Sequence, residues 1–144
     1  MTSKRETVLD ALAALIAAAV PGAEVKRNLA KPERIPSGGL VVIRDGEPGD
    51  PEVSLSPATY LYSHRVVVEL AINATGSLSR EQALDALLSA IGSGLAANRT
   101  LSGLCDWIEA EAPVSGDIET LGAVPGRYAE LTVVMTYATT NPLN

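Results

Sequence analysis

Two segments of helical periodicity, two long strands of apolar–polar alternation and short turn-rich connections between them predict an α+β fold. The expected architecture is a two-layer sandwich, with a mixed, mostly antiparallel sheet carrying the two main helices on one face. The 144 residues show no internal repeat and no splitting linker, so 1–144 reads as a single domain. For a chain of this mass, area scaling gives a folded surface of roughly 7,000 Å² against roughly 21,600 Å² unfolded, enough burial for one core.

Taken in chain order, Ser3 to Glu6 has the form of a capping box, and Val8, Leu12, Leu15, Ile16 and Ala19 follow as one stripe before Pro21-Gly22. Lys4 and Arg5 ahead of the apolar run Ala11 to Val20 could also open a signal peptide, but Glu6 and Asp10 break that charge pattern, which favours a mature amphipathic helix. The stretch is too short to span a bilayer and no other comes near that length, so the expectation is a soluble, intracellular protein with no membrane partner. Glu24 to Asn28 reads as a short strand, and Leu29 to Gly39 as a loop punctuated by Pro32, Pro36 and Gly38-Gly39. Leu40 to Arg44 is a continuous β-branched run, the pattern of a central strand buried on both faces. Asp45 to Pro57 carries Gly46, Pro48, Gly49, Pro51 and Pro57; its Val53 and Leu55 alternate with polar residues, which predicts a projecting loop or β-arm over 45–57.

Tyr60 to Asn73 is the clearest strand, with Val66, Val68, Leu70 and Ile72 on one face and Arg65, Val67, Glu69, Ala71 and Asn73 on the other. Gly76 ends it. Ser79 and Gln82 form a second capping box, with Leu78 placed against Ala83, and the helix behind it presents Leu84, Leu87, Leu88, Ile91 and Leu95 before loosening at Gly92 and Gly94. Leu84, Leu88 and Val68 are expected in one core. After a connector over Asn98 to Asp106, Trp107 to Pro113 and Asp117 to Leu121 read as strand pieces. Arg127 to Thr139 closes the sheet, with Leu131, Val133, Met135 and Tyr137 facing one way and Tyr128, Glu130, Thr132 and Thr136 the other, ahead of a flexible tail over 139–144.

Composition narrows function. Eleven Lys and Arg stand against 17 Asp and Glu, a net charge of −6, which argues against a nucleic-acid surface because phosphate neutralisation needs clustered cations. There is no Phe, so the core is built from Leu, Val and Ile, and a core of that kind gains from oligomerisation. The single Cys105 excludes an internal disulfide, and one histidine excludes any two-histidine metal motif. Neither phosphate-cradling glycine motif nor a Gly-x-Ser-x-Gly elbow is present. His64 is expected at a strand end on a surface or subunit boundary, and Cys105, among Leu101, Leu104, Trp107 and Ile108, as a buried small hydrophobe. Asp45, Glu47, Asp50 and Glu52 have the composition of a calcium loop without its register, and the prolines oppose that turn. Asn73-Ala74-Thr75 and Asn98-Arg99-Thr100 match the glycosylation pattern, which means nothing without a secretory signal. No catalytic residue, cofactor or metal is expected. The alternative left open is a small ligand-binding or enzymatic α+β domain using the sheet face near His64.

What remains is contact chemistry. Tyr60 and Tyr62 point to one face of their strand, next to the apolar Val53 and Leu55 and the acidic run before them. Asp45, Glu47, Asp50, Glu52, Val53, Leu55, Tyr60 and Tyr62 are therefore the candidate interface residues, with the charges at the rim.

The order of these segments resembles a known family. A first amphipathic helix, the strand LVVIR, the long strand HRVVVELAIN, the capped helix SREQALDALLSAI, the short element Thr100 to Leu104 and the closing strand RYAELTVVMTY are similar to the tail-terminator proteins of long-tailed bacteriophages (minor tail protein U) and their relatives in gene transfer agents. The likeness runs from Val8 to Tyr137 and rests on order, length and strand character. It implies a structural virion protein, assembled in the host bacterial cytoplasm, whose copies form a homo-hexameric ring at the head-proximal end of the tail. The ring would bind the tail tube protein, stop tube polymerisation and offer the head-completion or connector protein its joining surface, while genomic DNA passes through the lumen without sequence-specific binding. A head-completion or neck protein is the neighbouring alternative. The alanine-rich first helix and the proline-rich 45–57 segment depart from the family's pattern.

Overall fold

The structure, a computed structural model, describes residues 2–30, 34–74, 76–118 and 126–144. Its elements follow in the order α1 (Lys4–Ala19), β1 (Glu24–Arg27), β2 (Leu40–Arg44), β3 (Glu52–Ser54), β4 (Thr59–Ile72), α2 (Arg80–Ala97), β5 (Trp107–Ala110), β6 (Val114–Ile118) and β7 (Gly126–Thr139). This is the α+β, two-layer architecture expected from the sequence, and the strands form one mixed sheet in the order β1-β2-β4-β7-β5. Only the β1–β2 pairing is parallel among the described strands. The expected strand over Asp117–Leu121 is met by β6, which ends at Ile118. Its last three residues, like Pro32 and Thr75, lie outside the described residues.

The frame is the antiparallel pair β4–β7. Both strands are 14 residues long, and their pairing runs without a break from Tyr60↔Thr139 to Ile72↔Arg127. Antiparallel partners share a face. Val66, Val68, Leu70 and Ile72 of β4 are therefore buried beneath the helices together with Ala129, Leu131, Val133, Met135 and Tyr137 of β7. Beyond this pair the outer strands are interrupted. β2 and β3 both lie along the free edge of β4, and β5 and β6 along that of β7. Between β5 and β6, Glu111, Ala112 and Pro113 stand opposite only Leu131 and Thr132, because Ala110 pairs with Val133 and Val114 with Glu130. That extra residue is a bulge. It reverses the alternation: Ile108 points into the core, while Val114, which unbroken alternation would turn inward with it, faces out at 71% exposure.

The two helices begin differently although both start on a Ser-x-x-Glu/Gln pattern. At α2 the box is complete, with the Gln82 N–H donating to Ser79 Oγ at 3.2 Å and the Ser79 N–H to Gln82 Oε1 at 3.0 Å. At α1 the Glu6 N–H donates to Ser3 Oγ, but the Glu6 carboxylate turns to Arg27 instead of back to Ser3. A charge-assisted bond outweighs a neutral cap. α1 buries Val8, Leu9, Leu12 and Ile16, leaving Leu15 half-buried, and α2 buries Ala83, Leu84, Ile91 and Leu95. Gly94 sets how closely the helices approach: a Cβ there would meet Ala19 Cβ at 3.1 Å and Leu15 Cδ2 at 3.4 Å.

Leu84 and Val68 belong to the core, whereas Leu88 is only half-buried against it. Leu84→Ala should therefore cost about 2–5 kcal/mol in urea unfolding and Leu88→Ala clearly less. Equal losses at both positions would mean that α2 is rotated relative to this packing.

Candidate assembly surface

The stretch between β2 and β4 is a short hairpin arm on a fixed root. Val53 of β3 pairs with Tyr60 and Ser54 with Thr59, so the arm continues the sheet along the first residues of β4. A cleft of about 530 Å³ separates β3 from Asp106 and Ala138. At the tip Val53 is 54% exposed and Leu55 78%. Glu47, Asp50 and Glu52 are exposed around it, and Tyr60 is half-buried at its base.

Asp45, the first residue of the arm, is tied through every polar group it has. Its amide donates to Asn28 Oδ1 at 3.0 Å, its carboxylate accepts from Arg27 at 2.9–3.1 Å, and its carbonyl accepts from His64 Nε2 at 2.6 Å. Gly46 follows with φ +62°, and a Cβ on it would lie 2.5 Å from the Arg65 carbonyl oxygen of β4, so only glycine lets the chain leave β2 here. Arg27 also binds Glu6 and Asp10 at 2.7 Å each, joining α1, β1 and the arm root through one guanidinium. The Glu6 carboxyl is held below the usual carboxylate range chiefly by its hydrogen bond from Arg27, whose own pKa that contact raises.

His64 is not at a surface or subunit boundary. It is fully buried, because its place in β4 has the parity of Val66 and Val68. The Asp45 carbonyl can only accept, so His64 is the neutral Nε2–H tautomer and its Nδ1 accepts from the Tyr137 hydroxyl at 2.9 Å. Burial is the main cause that pulls the imidazole pKa below 6.5, and burial pushes Tyr137 up to about 12. With both ring nitrogens bonded, the neutral His64 ties the Asp45 carbonyl to the Tyr137 hydroxyl. Cys105 is buried too, and burial pushes its thiol up to about 11, far from a reactive thiolate.

The structure thus brings together only part of the group that the sequence marks out. Val53 and Leu55 form the exposed tip, Glu47, Asp50 and Glu52 surround it, and Asp45 is spent on the root. Tyr62 is 7% exposed and packs on Tyr137 with ring centroids 5.9 Å apart, so within one subunit it supports the arm from inside. The acidic residues do not converge: among the described residues no three His, Cys, Asp or Glu side chains are placed to hold a metal ion. A second apolar area lies on the sheet face away from the helices, where Trp107, Val114 and Tyr128 are exposed beside Val67 and Val134. Arg99 stacks on Trp107 at 5.1 Å, and Tyr128 covers Gly116, where a Cβ would meet the ring at 3.0 Å. The bulge that turns Val114 outward leaves no mark in the alternation pattern, so this grouping was not readable from the sequence. Among the described residues no helix is long and apolar enough to cross a membrane.

No family model and no curated protein matches the chain. Among solved structures it is similar to a chain of one described as "Virion of native gene transfer agent (GTA) particle", over 87% of this chain and 83% of that one, at 13% identity and a TM-score of 0.32.

Two outcomes follow from the root. Tyr137→Phe leaves the buried His64 Nδ1 without its donor and should cost about 1–3 kcal/mol in chemical denaturation. Because the folded histidine binds its proton more weakly than the ordinary 6.5, unfolded chains hold more protons in that window, so its contribution is complete above pH 6.5 and is lost as pH falls toward the lowered folded value. The Glu6 contribution declines only below its ordinary 4.5. Stability measured between about pH 7 and pH 5 should slope down toward acid and lose most of that slope in His64→Gln. An unchanged slope would show that another group carries it.

Proposed function

We propose that this chain is a structural virion protein of the tail-terminator kind. Six copies would close a ring on the finished tail tube, stop its polymerisation and present the head-completion protein with a joining surface. The observation that carries this reading is the hairpin arm, whose apolar tip stands exposed on a root fixed by Arg27 and His64. Two exposed aliphatic side chains on a prolonged hairpin suit a ring subunit, which needs an element that reaches a neighbour. The order of helices and strands, which resembles that family, agrees with it. So does the charge, since each copy would bring −6 to a channel through which DNA must slide without sticking. In this reading the protein sits at the head-proximal end of the tail after assembly in the host cytoplasm, with tail tube protein on one side and connector on the other.

Imaging particles that lack this protein tests the proposal. Overlong tubes support a terminator, while tails of normal length left unattached to heads would place it in the neck instead. Replacing Gly46–Ser56 by a short glycine linker should leave the monomer folded but weaken ring formation or tube capping. If the shortened chain still caps tails at normal length, the arm is not the contact element.

A further inference from the structure

An exposed arm tip needs a receptor, and the same chain carries two apolar surfaces of suitable kind. One is the sheet face around Trp107, Val114 and Tyr128. The other is an open groove of about 620 Å³ between α1 and α2, lined by Ala11, Leu15, Ala18, Gly94, Leu101 and Leu104. The groove exists because Ala11, Ala18 and Gly94 carry small side chains, or none, where the two helices meet, leaving room for an aliphatic side chain from outside between Leu15, Leu101 and Leu104.

Charge separates the two surfaces. The arm brings Glu47, Asp50 and Glu52, all exposed. The sheet face is itself acidic, with exposed Glu109, Glu111 and Glu130; Arg44 and Arg65 are paired with Glu69 and Glu111, and Arg99, stacked on Trp107, is the one arginine there with no carboxylate partner among the described residues. An arm laid there would bring like charges together, which works against association. The groove ends differently. Lys4 is seven residues before Ala11 and fourteen before Ala18, so the three lie along one side of α1. Among the described residues Lys4 forms no ion pair, and the neighbouring Arg5 is exposed and also forms none.

We infer that the α1–α2 groove is the receptor for the arm of a second copy of this chain, with Leu55 and Val53 seated among Ala11, Leu15, Ala18 and Leu104 and the arm carboxylates facing Lys4. The inference rests on the assembly reading above and names the surface that completes it. The contact is heterologous, since each subunit gives an arm and receives one, and such a contact closes a ring where the rotation permits.

Two substitutions at exposed positions break one half of the contact each. Leu55→Asp spoils the arm and keeps the groove, while Ala18→Glu spoils the groove and keeps the arm. In sedimentation velocity each variant alone should lose the oligomers formed by the unaltered chain, with circular dichroism confirming that both stay folded. Mixed together, they should form a dimer that grows no further, because one intact arm then meets one intact groove. Oligomers that persist in either variant, or a mixture that remains monomeric, overturn the inference. Persistence in both leaves the assembly reading standing with a different receptor. An unaltered chain that stays monomeric overturns the inference, and if it also fails to restore tail length to particles lacking it, the assembly reading falls separately.

Discussion

Every other element takes its position from the antiparallel ladder between β4 and β7. Thirteen residues of β4 face thirteen of β7 in one unbroken register. Because side chains alternate strictly along a strand, a slip of one residue would turn Arg65 and Glu69 toward the helices and Val66 and Val68 toward solvent. The burial of nine apolar side chains on one face of this pair holds the register, and with it the face on which α1 and α2 must lie. The outer strands then adapt to the ladder, each bending or breaking where its own sequence cannot follow fourteen residues of flat pairing.

The breaks are where the surfaces for contact arise. On the β4 edge the chain leaves the ladder at Asp45-Gly46, crosses to β3 and turns back, and this excursion makes the arm. The exit point is held from three sides, by Arg27, Asn28 and His64, so that the arm departs from a fixed direction instead of a loose loop. Removing the partner of a buried polar group generally costs more than the bond itself contributes, which makes such a root resistant to small disturbances. On the β7 edge the bulge before Val114 has a different effect and turns that valine out onto the open sheet face. One edge reaches outward, and the other leaves a flat surface with acidic borders.

The long strands and both helix starts were legible in the sequence because each is set by local pattern: alternation for β4 and β7, serine caps for α1 and α2. The exposed tip at Val53 and Leu55 was legible for the same reason, as alternation inside a proline-rich segment that could not pair for long. What the sequence hid depends on distant partners. Glu6 reads as the second half of a cap until Arg27, 21 residues later, competes for it. His64 reads as a polar strand end, yet its parity places it in the core, where Tyr137 and the Asp45 carbonyl supply the two bonds that make burial tolerable. Asp45 reads as one acid among four, although its neighbours in space make it the anchor. The bulge at Glu111–Pro113 shifts register by one residue, and the register of an edge strand is set by its partner.

In the proposed assembly a rigid ladder carries an arm whose root is held by its own subunit and whose exposed tip is covered by a neighbour. Amide hydrogen exchange on the free chain and on the assembled ring tests it directly. Amides of Val66–Ile72 and Leu131–Tyr137 should exchange slowly in both states, while those of Glu52–Leu55 exchange fast in the free chain and become protected on assembly. Arm amides that are equally protected before and after, or ladder amides that exchange as fast as the arm, would contradict the account.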